Sequence, residues 1–138
     1  MIVVDSSAVA AILFGEAAAV PLLTRLGAAR ERVMSVVNYV EVGTVLAGRR
    51  LAQRERALAE LDLFLDEVGI GLAPVDAAQA RAAMRARVRF GKGMGHGGTL
   101  NFGDCFAYAL AMALEAPLLF VGDDFGRTDV RVVMAGGR

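Results

Sequence analysis

Ile2-Val3-Val4-Asp5-Ser6-Ser7-Ala8 decides how this chain is read. Three adjacent β-branched residues with no polar alternation describe a short strand buried on both faces. Asp5, Ser6 and Ser7 then offer N-cap side chains to a helix expected over Ala8–Phe14. A strand that passes straight into a helix opens a β-α-β unit, in which strands are parallel and helices cover the sheet.

The remaining sequence continues that alternation. Glu16–Ala29 predicts a helix with Leu22, Leu23 and Leu26 on one stripe, and Val33–Val37 a second strand. Asn38–Gln53 predicts a helix with Val42, Val45, Leu46 and Leu51 as its apolar set. Arg54–Val68 predicts another, ended by Gly69 as a C-cap. Ile70–Val75 reads as a third strand, and Asp76 caps a basic helix to Phe90. The glycine-rich segment Gly91–Gly98 is expected to be a mobile loop without regular structure. Asp104 is expected to open a helix to Glu115, Pro117 to stop it, and Leu118–Val121 and Val130–Met134 to supply the last strands. The expectation is a three-layer α/β/α sandwich around a mainly parallel sheet, with about four to five strands and six to seven helices. No linker or internal repeat interrupts it, so residues 1–138 form one domain.

Composition narrows the class. The chain is 56% hydrophobic and 22% charged, which excludes a disordered chain. The longest apolar stretch, Ala8–Leu23, is broken by Gly15-Glu16 and Pro21, short of a membrane span. Met1–Asp5 has no basic segment before its apolar run, so no secretory signal and a cytoplasmic location are expected. One cysteine and one histidine exclude an internal disulfide and a zinc site built from Cys or paired His. Net charge is zero, yet no acid lies between Asp76 and Asp104, where Arg81, Arg85, Arg87, Arg89 and Lys92 fall.

In β-α-β architecture, ligands bind where strands end and helices begin. Asp5 follows the first strand, Glu41 lies early in the helix after the second, Asp104 begins the helix leading to the fourth, and Asp123-Asp124 follow the fourth. Remote acids therefore meet at one sheet edge. Glu41 sits among Val37, Tyr39, Val40, Val42 and Val45 with no Lys or Arg within helical reach, so its helix is expected to be buried nearly all round. Carboxylates gathered without counter-ions fit a hard divalent cation with oxygen ligands, Mg²⁺ or Mn²⁺, and chemistry on phosphate esters.

Other signals lose on named residues. Gly93-Met94-Gly95-His96-Gly97-Gly98 fits G-x-G-x-x-G but follows a helix, where a dinucleotide fingerprint follows a strand. Cys105 reads as a small buried hydrophobe. An aspartyl-phosphate phosphatase needs a second Asp where Ser7 stands, and a receiver domain needs a lysine after a late strand, whereas the sole lysine is Lys92 in the glycine loop.

Ile2–Ala8, Tyr39-Val40-Glu41-Val42, Leu100-Asn101-Phe102-Gly103-Asp104-Cys105-Phe106-Ala107-Tyr108-Ala109 and Leu118–Phe125, followed by Thr128-Asp129, together resemble the PIN-domain ribonucleases, specifically the VapC toxins of bacterial toxin–antitoxin pairs. Asn101-Phe102-Gly103-Asp104-Cys105 is the most specific match, and the segments span nearly the whole chain in order. The resemblance implies metal-binding, catalytic acids at Asp5, Glu41 and Asp104, with the fourth at Asp123, first after its strand, or at Asp124. It implies support from Ser6; Asn101 and Phe102 are candidates for orienting Asp104 or stacking on a base, with packing as their default role. It further implies Mg²⁺-dependent endonucleolytic cleavage of RNA, a homodimer, and inhibition by a VapB-type antitoxin through which alone DNA is contacted. Arg81, Arg85 and Arg89, four residues apart on one stripe, and Lys92 then become candidates for holding RNA phosphates. The rival reading is a non-catalytic module of this fold that acts only through its antitoxin.

Overall fold

The computed structural model describes residues 1–133. β1 (Ile2–Val4) lies at the centre of a five-stranded, wholly parallel sheet of order β3-β2-β1-β4-β5, with β2 at Arg32–Ser35, β3 at Ile70–Ala73, β4 at Leu118–Leu119 and β5 at Val132–Val133. Val3 is in register with Val33 on one side and Leu118 on the other.

Strand alternation divides the core in two. Ile2, Val4, Met34 and Leu119 point into one layer with helices α1 (Ser6–Leu13), α2 (Ala19–Ala28), α3 (Val36–Arg49) and α4 (Arg54–Val68). Val3 and Leu118 point into the other with α5 (Ala77–Phe90) and α6 (Phe102–Ala113). The result is an α/β/α sandwich with six α-helices and a 3₁₀ turn at Leu51–Gln53 among the described residues. No helix among them is long and apolar enough to cross a membrane.

Where boundaries differ from expectation, local hydrogen bonding is the cause. Val36 and Val37 have strand-forming side chains, yet the Ser35 hydroxyl accepts from the Val37 amide at 3.2 Å and starts α3 there. α6 starts two residues before Asp104, because the Asn101 side chain takes the Asp104 amide at 2.9 Å. β3 stops before Pro74, and β4 ends at Leu119, short of the expected Val121, whose amide instead donates to Ser7. Helix α2 begins at Ala19 instead of Glu16, and the helix expected to run to Gln53 breaks at Arg50. Gly69 ends α4 at φ +76°, as the sequence predicts. β5 holds only Val132–Val133 of its expected span, and Met134 lies outside the described residues.

The glycine loop is also more constrained than its composition implies. Gly91 pairs with Leu100 in a parallel bridge, and a Cβ on Gly98 would lie 2.4 Å from the Phe90 carbonyl oxygen. His96 Nε2 lies 2.7 Å from the Val88 carbonyl, and Arg127 donates to the Gly97 carbonyl at 2.9 Å. The segment is therefore tied to α5 at one end and to the loop after β4 at the other.

Candidate active site

β1 ends at the rim of the sheet and delivers Asp5 as the N-cap of α1. Its Oδ2 accepts from the Ser7 amide at 3.1 Å and the Ser7 hydroxyl at 2.6 Å, while Oδ1 is buried and takes no hydrogen bond. Burial pushes the Asp5 carboxyl up from 3.8 to about 6 despite the Ser7 bonds, and the charge of Glu41 adds to the rise. The Ser7 hydroxyl also accepts from the Val121 amide at 3.0 Å, so one side chain joins the end of β1 to the loop after β4.

Glu41 reaches the same place from the second turn of α3. Its Oε1 accepts from the Ser6 hydroxyl at 2.9 Å and the Asn38 carboxamide at 2.8 Å. Asn38 is fully buried and also donates to the Gly103 carbonyl at 3.1 Å, linking α3 to the first turn of α6. The glutamate lies so close to that turn that a Cβ on Gly103 would fall 1.9 Å from its Oε2. Contrary to the sequence reading, α3 is not buried nearly all round: Val40 is 62% and Val45 43% exposed. Glu41 sits at the edge of a groove, and its partners are a hydroxyl and an amide.

Asp104, the third residue of α6, accepts from the Asn101 amide at 3.0 Å and returns its own amide to the Asn101 side chain, a reciprocal capping box. Burial raises its carboxyl from 3.8 to about 8 against that hydrogen bond, with further elevation from the charges of Asp5 and Asp124. Asp124, not the favoured Asp123, is the fourth acid at the cavity. Gly122, at φ +108°, turns the chain after β4, leaving Asp123 exposed while Asp124 faces Asp104. Thr99 holds that turn by donating to the Asp124 carbonyl at 2.5 Å.

Asp5, Ser6, Ser7, Glu41, Asn101, Asp104 and Asp124 thus line one cavity of about 190 Å³. The ion pairs among the described residues, Arg50–Glu60, Arg56–Glu60 and Arg89–Asp129, involve none of its acids. No trio of His, Cys, Asp or Glu among those residues is yet gathered tightly enough to bind one ion, since Asp5 Oδ2 is turned to Ser7 and Glu41 Oε1 to Ser6 and Asn38. The donors are all hard oxygens, the buried Asp5 Oδ1 is unpartnered, and the Asp104 carboxylate is disfavoured by burial and then by its neighbours' charge. That set fits Mg²⁺ or Mn²⁺ and no softer metal.

Arg81, Arg85, Arg89 and Lys92 do not enter this cavity. All four are exposed, and Arg85 and Arg89 line a separate groove with Tyr108 and Asp129, where Arg89 lies 3.7 Å from the Asp129 carboxylate. Cys105 is buried, with Sγ directed to the Asn101 carbonyl at 3.3 Å, as its hydrophobic reading requires. Sequence reasoning passed over Ser7, Asn38 and Thr99. Only Asn38 carried a usable signal, standing one helical turn before Glu41 on the same face.

The PIN domain family matches residues 2–131. The chain is 43% identical over 129 residues to ribonuclease VapC42 of Mycobacterium tuberculosis, covering 94% of this chain and 96% of that one. It is 44% identical over 131 residues to ribonuclease VapC of Mycolicibacterium smegmatis, covering 95% and 98%. Among solved structures, M. tuberculosis VapC20, described as a sarcin-ricin loop cleaving toxin, superposes with a TM-score of 0.75 at 18% identity, over 96% of this chain and 98% of that one. VapBC2 of Rickettsia felis, bound to a DNA fragment from its promoter, superposes at 0.73 and 18%, over 97% and 98%. The parallel sheet, the acid-bearing strand ends and these likenesses agree: the chain belongs to the PIN-domain family and, within it, to the VapC ribonucleases.

Proposed function

We propose that this protein is a divalent-cation-dependent endoribonuclease, the toxin of a toxin–antitoxin pair. The observation that carries the reading is the convergence of Asp5, Glu41, Asp104 and Asp124 on one cavity whose acids have no arginine or lysine partner among the described residues. Mg²⁺ or Mn²⁺ would be held by these four carboxylates. When bound, the cation supplies Lewis-acid chemistry, offsetting phosphodiester charge and lowering the pKa of water.

The chain's own residues do the positioning. Ser7 fixes Asp5, Ser6 and Asn38 fix Glu41, and Asn101 fixes Asp104, so three of the four acids are oriented by a neighbour before substrate arrives. The elevated Asp104 carboxyl keeps its proton near neutrality, so proton and cation compete at that oxygen and cation affinity rises with pH through about 8.

A VapB-type antitoxin, homodimerisation, DNA contact through the antitoxin alone and action in the cytoplasm complete the proposal; a structural neighbour that is a toxin–antitoxin complex and one that is a VapBC assembly support the partner. Arg85 and Arg89 would hold RNA backbone away from the acids. Charge reversal of both is then expected to weaken RNA binding and to flatten its dependence on salt; filter binding at several ionic strengths with no change in slope would remove them from the interface.

The reading is tested by incubating the purified protein with RNA in Mg²⁺, in Mn²⁺ and in EDTA. Cleavage in either metal and none in chelator is the expected result. Cleavage that survives EDTA would refute the metal mechanism. No cleavage in any metal, with antitoxin binding retained, would favour the non-catalytic module.

A further inference from the structure

Beside the carboxylate cavity runs a second concavity of about 600 Å³, lined by Val36, Val37, Val40, Glu41, Thr44, Val45 and Phe102. The two adjoin, with Glu41 and Val45 lining both. Its surface is almost wholly apolar, and its only ionisable lining residue is Glu41, an acid. Phe102 is the first residue of α6, next to the capping Asn101 and two before Asp104. The residue is 62% exposed, yet its ring is braced, with its centroid 5.1 Å from that of Phe106.

We propose that this groove is a nucleobase subsite, in which the base of a nucleotide next to the scissile phosphate stacks on Phe102. The proposal rests on the ribonuclease reading above and narrows its substrate to RNA unpaired at that position. A polymer that presents a phosphate to Asp5, Asp104 and Asp124 must place adjoining groups along the walls that the two concavities share. A groove with a carboxylate and no cation repels a second phosphate, so the backbone leaves elsewhere and the uncharged, flat part of the nucleotide enters. An exposed, braced aromatic face beside aliphatic walls accepts any base through its π-face. Discrimination then comes from how far Val40 and Val45 let the base slide over the ring, because no hydrogen-bonding side chain other than Thr44 and Glu41 lines the groove.

The chain contains no tryptophan, so Phe102→Trp introduces a single fluorescent indole at the subsite. In an Asp104→Asn background, which prevents turnover, emission is read against a short mixed-sequence single-stranded RNA and against a ribose-phosphate oligomer of the same length without bases. Quenching by the RNA and none by the abasic oligomer is the expected result. In the otherwise wild-type chain, Phe102→Ala is expected to raise KM about tenfold, to change kcat by less than about twofold and to relax base preference at the cleavage site, while Phe102→Tyr preserves all three. Equal quenching by both oligomers, or no quenching by RNA that filter binding shows to be bound, would overturn the subsite. An emission shift that grows with protein concentration without RNA would also overturn it, because a second copy would then cover the groove. Emission that responds only to an added antitoxin would assign the groove to that partner instead. If wild-type protein cleaves no RNA in either metal, the nuclease reading fails by itself, whereas cleavage without quenching removes the subsite alone.

Discussion

Gly103→Ala is expected to cut RNA cleavage steeply while the domain stays folded. The added Cβ would stand 1.9 Å from Oε2 and 2.1 Å from Cδ of Glu41. Gly103 lies in the first turn of α6, where alanine is the better helix former by about 1 kcal/mol. The helix therefore holds, and the glutamate terminus gives way, leaving Ser6 and Asn38. Activity should fall on the order of 10²- to 10³-fold, the scale of losing one preorganised charged group. The thermal midpoint should shift by only a few degrees, as about 1 kcal/mol does in a domain of this size. Because both substitutions remove one interaction, Gly103→Ala combined with Glu41→Gln should be no worse than Glu41→Gln alone. Rate measurements on the four members of that cycle check this; additive losses would mean that Gly103 acts through something other than Glu41.

Asp104→Asn and Asp5→Asn are expected to move activity and stability in opposite directions. Cleavage should drop about 10³-fold or more in each, since each removes a carboxylate proposed to hold the cation and no neighbour replaces it. In metal-free buffer at pH 8, both variants should melt at higher temperature than the wild type. In the folded chain the Asp5 carboxyl titrates near 6 and that of Asp104 near 8, against 3.8 unfolded. Between those values the folded state binds more protons than the unfolded one, so unfolding free energy falls as pH rises. The loss begins near pH 4 and is complete above about 8. Asp5, carried from 3.8 to about 6, is worth about 3 kcal/mol of it. Asparagine carries no charge to desolvate, and its Oδ1 can still accept the capping hydrogen bond. Thermal melts of the three proteins from pH 5 to 8.5 with EDTA provide the check. A wild type that is equally stable across that range would contradict the burial of these acids.

The layers of the fold were legible because they depend on short-range pattern. Ile2-Val3-Val4 could only be a strand with both faces covered, and Ile2 and Val4 enter one core layer while Val3 enters the other. Asp76 opened α5 and Gly69 closed α4 as a capping side chain, and the lack of one, required. Element boundaries were less legible where two local preferences competed: at Ser35 a hydroxyl cap prevailed over the strand propensity of Val36 and Val37. Asp5, Glu41 and Asp104 were legible as one site because parallel topology sends every strand end to one edge. Asp123 and Asp124 were not separable, because their difference is a rotation of the chain at Gly122.

By itself, then, the sequence determined the strand-helix alternation, the sheet edge at which the acids gather and the hard-oxygen chemistry they share. All of these follow from residue type and from spacings within one helical turn or one strand. The tertiary structure alone decided which acid of the doublet faces inward, which polar groups orient the others and where an apolar groove opens beside them. Those outcomes rest on contacts between residues 35, 65 and 114 positions apart, Ser6 with Glu41, Asn38 with Gly103 and Val121 with Ser7. Such pairs exist only after the layers have packed, when a hydroxyl or carboxamide with no other partner must satisfy whatever the fold has brought beside it.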